Sequence, residues 1–213
     1  FIFMPKKKTA SLVSLFPDFS PMRIKYKDIF GMKPFYEALH EWLMEYGWKD
    51  NEETYQNGDH WESYYGERIG QGGAREIWIQ WRVQKDVPNA KDKLKYFMDM
   101  DFHCLALINT EVVVDGRKIK TNKGEVELTI RAFIEEKYKE DFDKNPILKI
   151  AKNIFAKRVY LKQLEVRKKE LYQEMYILNN FVKQWFKLKR YLPYEEAKTF
   201  FITDSYPSHM KGK

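Results

Sequence analysis

Cysteine is almost absent from this 213-residue chain, Cys104 being the single one. One thiol can close no intramolecular disulfide and build no thiolate metal cage. Disulfide-stapled secreted scaffolds and zinc-finger modules are therefore excluded, and a reducing compartment, the cytoplasm, is expected. Long apolar runs are missing as well. The longest charge-free stretches, Thr9 to Pro17 and Phe102 to Thr110, are about half the ~20 residues a membrane-spanning helix requires, so no transmembrane segment is expected. Also absent are a Walker or dinucleotide-binding fingerprint, a serine nucleophile elbow, helix-turn-helix spacing, a ribonucleoprotein aromatic motif and a zinc knuckle. Sequence-specific readout of a nucleic acid has no carrier here.

What the chain does hold is apolar and aromatic mass, 44% hydrophobic and 16% aromatic residues. That is enough to offset chain ordering despite a 32% charged content, so the protein is expected to be globular. A chain of this size buries roughly 70% of its unfolded surface, an ample core without staples. The chain opens at Phe1, with Met22 a candidate start. Residues 1–21, with Lys6-Lys7-Lys8 before a broken apolar stretch, read as a flexible lead rather than a signal peptide.

Residues 22–145 read as an α+β sheet domain. Phe35, Leu39, Trp42, Leu43 and Tyr46 recur at helical spacing within Met32 to Tyr46, with Pro34 suited to a first turn and Gly47 to a C-terminal cap. Glu37, Glu41 and Glu45 stack on a neighbouring face of that helix, which is either solvated or meets a basic partner. From Trp61 the period falls to two. Strands are expected at Glu62 to Ile69, Arg75 to Lys85, Tyr96 to Val114 and Arg117 to Tyr138, the last interrupted at Thr121 to Gly124. Asp115-Gly116 is a strong hairpin signal, and Gly70-Gln71-Gly72-Gly73 makes a second short connection. The result is an antiparallel meander of four to six strands with one face covered by helices.

Residues 146–192 carry a different pattern. Steps of three and four from Ile147 meet Ile147, Ile150, Ile154, Lys157, Leu161, Leu164, Lys168, Leu171, Met175, Leu178, Val182 and Trp185, and only the two lysines break the apolar, coiled-coil-like seam. A continuous helix there would be roughly 65 Å long, more than the ~45 Å breadth of a compact globule of this size. Either it breaks near Lys162 to Lys169 into a helical hairpin, or its excess seam meets another chain, making the protein a homo-oligomer or giving it a helix partner. Leu161, Leu164, Leu171, Met175, Leu178 and Val182 are the expected core or oligomer contacts. Residues 193–213 read as a short helix and a polar tail.

The same segment holds the charge. Lys149, Lys152, Lys157, Arg158, Lys162, Arg167, Lys168, Lys169, Lys183, Lys187, Lys189 and Arg190 stand against Glu165, Glu170 and Glu174, a net +9 that leaves −2 for the rest of a chain totalling +7. A helix with an apolar seam and a basic back suits an anionic partner, with a nucleic-acid backbone favoured over a lipid headgroup or an acidic protein face. Arg167, Lys168, Lys169, Lys183, Lys187, Lys189 and Arg190 are its expected contacts, with Trp185 supplying a plane that can stack on a base. The other reading of such a charge run is a solvated face that merely keeps a long helix soluble.

Two contrasting functions are also written in the residues. Asp99, Asp101 and His103 alternate along one strand, a pattern that can hold Mg²⁺ or Mn²⁺ for phosphoryl transfer, although polar residues on the outer face of a sheet look the same. Trp78 and the group Trp61, Tyr64 and Tyr65 could line an apolar ligand cavity between sheet and helix, as in helix-grip folds of similar element order. A packed aromatic core is the competing account. The primary expectation is a non-catalytic binding or assembly protein that needs no cofactor.

Overall fold

The structure, a computed structural model, describes residues 12–17, 20–50, 61–87, 94–114, 116–136 and 161–188. These form strands β1 (Leu12–Ser14) and β2 (Met22–Phe30), helix α1 (Met32–Glu45), strands β3 (Lys49–Asp50), β4 (Glu62–Ile69), β5 (Arg75–Asp86), β6 (Leu94–Val114) and β7 (Arg117–Glu136), and helix α2 (Leu161–Trp185). All pairings are antiparallel. β5, β6 and β7 are the centre; β1 and β2 share the free edge of β7, and β3 and β4 share the free edge of β5.

The sheet thus has seven strands, not four to six. The additions are β1, which lies within the segment expected to be a flexible lead, β2 and the two-residue β3. β7 also runs unbroken through Thr121 to Gly124, where an interruption was expected. That polar stretch stays in register because β2 and β6 flank it. Its glycine has a packing reason: a Cβ on Gly124 would lie 3.0 Å from both the Leu105 carbonyl oxygen and the Leu107 Cα. Those atoms belong to a bulge in β6 between Leu105 and Ile108, where Ala106 takes φ 51°.

Alternation sets the two faces of the sheet. Ile77, Ile79, Trp81 and Val83 of β5, Tyr96, Met98, Met100, Phe102 and Cys104 of β6, and Val126, Leu128, Ile130, Ala132 and Ile134 of β7 are all buried on the inner face. Helix α1 lays Phe35, Leu39, Trp42 and Leu43 on them, while Glu37, Glu41 and Glu45 stay exposed. The interior is aromatic and closely packed: the ring of Trp81 lies 4.6 Å from Tyr36 and 5.1 Å from Phe102, and that of Phe35 lies 4.6 Å from Phe186.

Helix α2 covers the rest of the inner face. Leu171, Met175, Leu178 and Val182 are fully buried and Leu164 is 9% exposed, so these seam residues pack into this chain's own core. The side chain of Leu161 lies outside the described residues. The helix runs unbroken from Leu161 to Trp185, with no break at Lys162 to Lys169, and at 1.5 Å per residue spans roughly 37 Å, a length the sheet accommodates. Residues 147–160 and 193–213 lie outside the described residues. One end of α2 is fixed where the Tyr96 hydroxyl donates to the Arg167 carbonyl at 3.3 Å, the other where Phe186 stacks on Tyr26 at 4.6 Å. None of the described helices is long and apolar enough to cross a membrane.

Candidate functional site

On the outer face of the sheet the polar residues are paired off. Arg82 meets Asp99 at 3.4 Å and Asp101 at 2.7 Å, and Arg131 donates to the other oxygen of Asp101 at 2.5 Å. His103 lies 3.0 Å from Glu76, with its ring stacked on Trp78 at 5.4 Å. Arg23 pairs with Glu127 at 3.1 Å and Lys25 with Glu125 at 2.6 Å. The Lys25 hydrogen bond holds the Glu125 carboxyl below its usual range, and the same bond raises the lysine.

The three residues of the expected metal site, Asp99, Asp101 and His103, thus stand in ion pairs. Guanidinium groups occupy the two aspartates and the histidine faces a glutamate. Among the described residues no three His, Cys, Asp or Glu side chains converge to hold an ion. The aromatic group proposed to line a cavity is likewise divided. Trp61 is buried in the core, Tyr65 is 51% exposed at the sheet edge, and Trp78 lies on the outer face beside His103, away from both helices.

Cations without an acidic partner collect in two places. Half of the described basic residues are ion-paired, among them Arg23, Arg82, Lys85, Arg131 and Arg167. Lys49 and Arg68 aside, those without a partner among the described residues are Lys168, Lys169, Lys183 and Lys187 beside the seam, and Arg117, Lys118, Lys120 and Lys123 near the β6–β7 turn. Advancing about 100° per residue puts Lys169, Tyr172, Tyr176 and Lys183, together with Glu165, on one flank of α2, and Lys187 follows in the turn after the helix. Tyr172 and Tyr176 are 42% and 43% exposed. The Tyr172 hydroxyl donates to that of Tyr176 at 3.0 Å, a bond that raises the Tyr172 pKa.

The expected anion contacts are thereby separated. Lys169 and Lys183 share the tyrosine flank, with Lys187 in the turn after the helix and Lys168 half-buried beside the seam. Arg167 and Trp185 sit on the opposite flank, the first paired with Glu170 at 2.7 Å and the second 6.2 Å from Phe35 on α1. Lys189 and Arg190 lie outside the described residues. Within Leu161–Trp185 five basic residues face three acidic ones, a net +2, so most of the +9 read from 147–190 falls beyond the helix itself.

Two features escaped sequence reasoning. The first is the pair Tyr172 and Tyr176, which lie off the seam and whose helical angle sets them beside the lysines. The second is the run Arg117, Lys118, Lys120 and Lys123, whose signal was its position directly after Asp115-Gly116. No family model, curated protein or solved structure matches this chain.

Proposed function

We propose that the protein is a non-catalytic binding module whose helix α2 offers an anionic partner, a nucleic-acid backbone, a flank of lysines interleaved with tyrosines. The observation that carries this reading is the set Lys169, Tyr172, Tyr176 and Lys183 on the helix and Lys187 just after it: cations with no ion pair among the described residues, beside two exposed rings. Unpaired lysines release counterions from a phosphate chain, and aromatic planes stack on unpaired bases at about 1–3 kcal/mol each. Because the described seam is spent on the core, its role in this reading is to hold the flank in place rather than to recruit a second copy. The module would act in the cytoplasm, where its one buried thiol stays reduced.

The test is fluorescence anisotropy of a labelled single-stranded oligonucleotide across a salt series. Affinity should fall steeply with salt, and should drop at least about tenfold in Lys169→Glu/Lys183→Glu/Lys187→Glu. Equal affinity of the triple variant and wild type would remove the helix from the function.

A further inference from the structure

We propose that the β6–β7 hairpin is an arm that enters a groove of double-stranded nucleic acid, an inference that rests on the nucleic-acid reading above and names the form of the partner. Beyond Asn109↔Asn122 the two strands pair only with each other. β2 ends its pairing at Asn122 and β5 ends at Leu107, so the pairs from Thr110↔Thr121 to Val114↔Arg117 form a free two-stranded ribbon. Five pairs span roughly 17 Å.

A ribbon of this kind is costly unless something uses it, because two strands in water without a core behind them are marginally stable. The bulge at Ala106 and the left-handed Gly116, φ 75°, mark its base and its turn. Its apolar side chains have no cover: Val113 is 64% and Ile119 is 49% exposed. Its cations Arg117, Lys118 and Lys120, with Lys123 at the base, make no ion pair among the described residues, although Glu111 stands opposite Lys120 in the register. On strand parity Lys118 and Lys120 lie on the side of the ribbon that continues the inner, helix-bearing face.

That side also holds the C-terminal end of α2. Phe186 is 5.8 Å from Phe30, and Phe30 pairs with Asn122 at the root of the arm. The lysines of the helix end and those of the ribbon therefore gather at one end of the molecule. A two-stranded ribbon fits the major groove, about 12 Å wide, with lysines reaching the phosphates on its rims and small apolar side chains meeting base edges. Single strands offer no such groove, so the arm should add a preference for duplex.

Lysine on a free strand edge also discourages edge-to-edge pairing between copies, but a glutamate serves that purpose equally well. Binding an anion such as phosphate requires the positive sign. The experiment therefore compares the full chain with Lys118→Glu/Lys120→Glu and with Lys118→Arg/Lys120→Arg, on a duplex of about two helical turns and on one of its single strands. The duplex affinity of the glutamate variant should fall at least tenfold, with a salt slope shallower by about 0.9 for each lost phosphate contact. Its single-strand affinity and its circular dichroism should match wild type, and the arginine variant should keep duplex binding. Duplex affinity unchanged in the glutamate variant overturns the arm alone and leaves the helix flank standing. Absence of binding to either nucleic acid by wild type overturns both. A wild-type mass of two chains in light scattering that returns to one chain in Val113→Ser/Ile119→Ser assigns the arm to a second copy and overturns it as well.

Discussion

Gly47 and Lys187 occupy the same position in two helix caps of one design. After α1, the Gly47 N–H bonds to the Met44 carbonyl at 3.0 Å and the Trp48 N–H to that of Leu43 at 2.9 Å. After α2, the Lys187 N–H bonds to Gln184 at 3.0 Å and the Leu188 N–H to Lys183 at 2.8 Å. Both are Schellman caps, whose penultimate residue must turn left-handed. Gly47 does so at φ 79° without cost, whereas Lys187 does so at φ 53° against its own Cβ.

Lys187→Gly should therefore stabilise the fold by about 0.5–1 kcal/mol, read as a rise in urea midpoint at constant slope, while weakening oligonucleotide binding. A variant that gains stability and loses affinity marks Lys187 as kept for its charge. If stability falls, the strain assigned to this cap is wrong.

Glu174 joins three elements. It accepts the Trp48 indole N–H at 2.7 Å across 126 positions of chain, and the Lys85 ammonium at 2.8 Å, with both charged side chains less than one-fifth exposed. Glu174→Ala strands two largely buried donors and should cost about 2 kcal/mol. A loss within about 0.5 kcal/mol would place the trio among ordinary surface pairs.

Much of this architecture is readable from the residues, for physical reasons that differ by element. In β5 every second side chain is apolar because one sheet face is buried, so Arg75–Asp86 announces itself. α1 has a complete apolar stripe and a glycine cap. β1 and β3 are two or three residues long and hold their place only through a neighbour, which leaves no local period to find. β2 does alternate, Ile24 in and Lys25 out, but its Arg, Lys and Asp residues make it read as a solvated segment ahead of the helix. The pairing of Asp99 and Asp101 with Arg82 and Arg131 was not legible, because those arginines come from strands whose register is fixed only in the fold. The same holds for the arm: that β2 and β5 stop short of the turn is a fact of pairing, written in no single segment.

Alkaline pH should loosen the protein in a defined window. Burial pushes the Tyr96 hydroxyl from its ordinary 10.0 up to about 12, and the Cys104 thiol from 9.0 to about 12. Burial also raises Tyr36, with its hydrogen bond to Glu62 acting the same way. Below the unfolded pKa both states hold their protons and the contribution is complete. Above it only the folded state keeps them, so stability declines from about pH 9 for the thiol and pH 10 for the phenols toward pH 12. Urea midpoints between pH 8 and 11.5 should show this decline, less steep in Tyr96→Phe. An identical pH profile in that variant would contradict the assignment.

The Cys104 thiol, with no solvent exposure and 3.8 Å from the Met32 sulfur, should resist a disulfide reagent at pH 8 for as long as the fold persists. Reaction should follow unfolding in urea. Fast labelling in native buffer would show that the inner face opens between α1 and β6.

Divalent cations should not engage Asp99 and Asp101, whose oxygens face Arg82 and Arg131. Adding Mn²⁺ or EDTA should leave the melting temperature unchanged. A Mn²⁺-dependent rise abolished by Asp99→Asn/Asp101→Asn would establish a metal centre there.

The central claim is the proposal that the cations without an ion pair among the described residues serve phosphate binding. Its most direct measurement is the salt dependence of oligonucleotide binding by wild type and by Lys169→Glu/Lys183→Glu/Lys187→Glu, with circular dichroism confirming that both are folded. The account predicts steeply salt-dependent binding by wild type and at least tenfold weaker, less salt-sensitive binding by the variant. Salt-insensitive binding, or equal affinity for the two proteins, would contradict it.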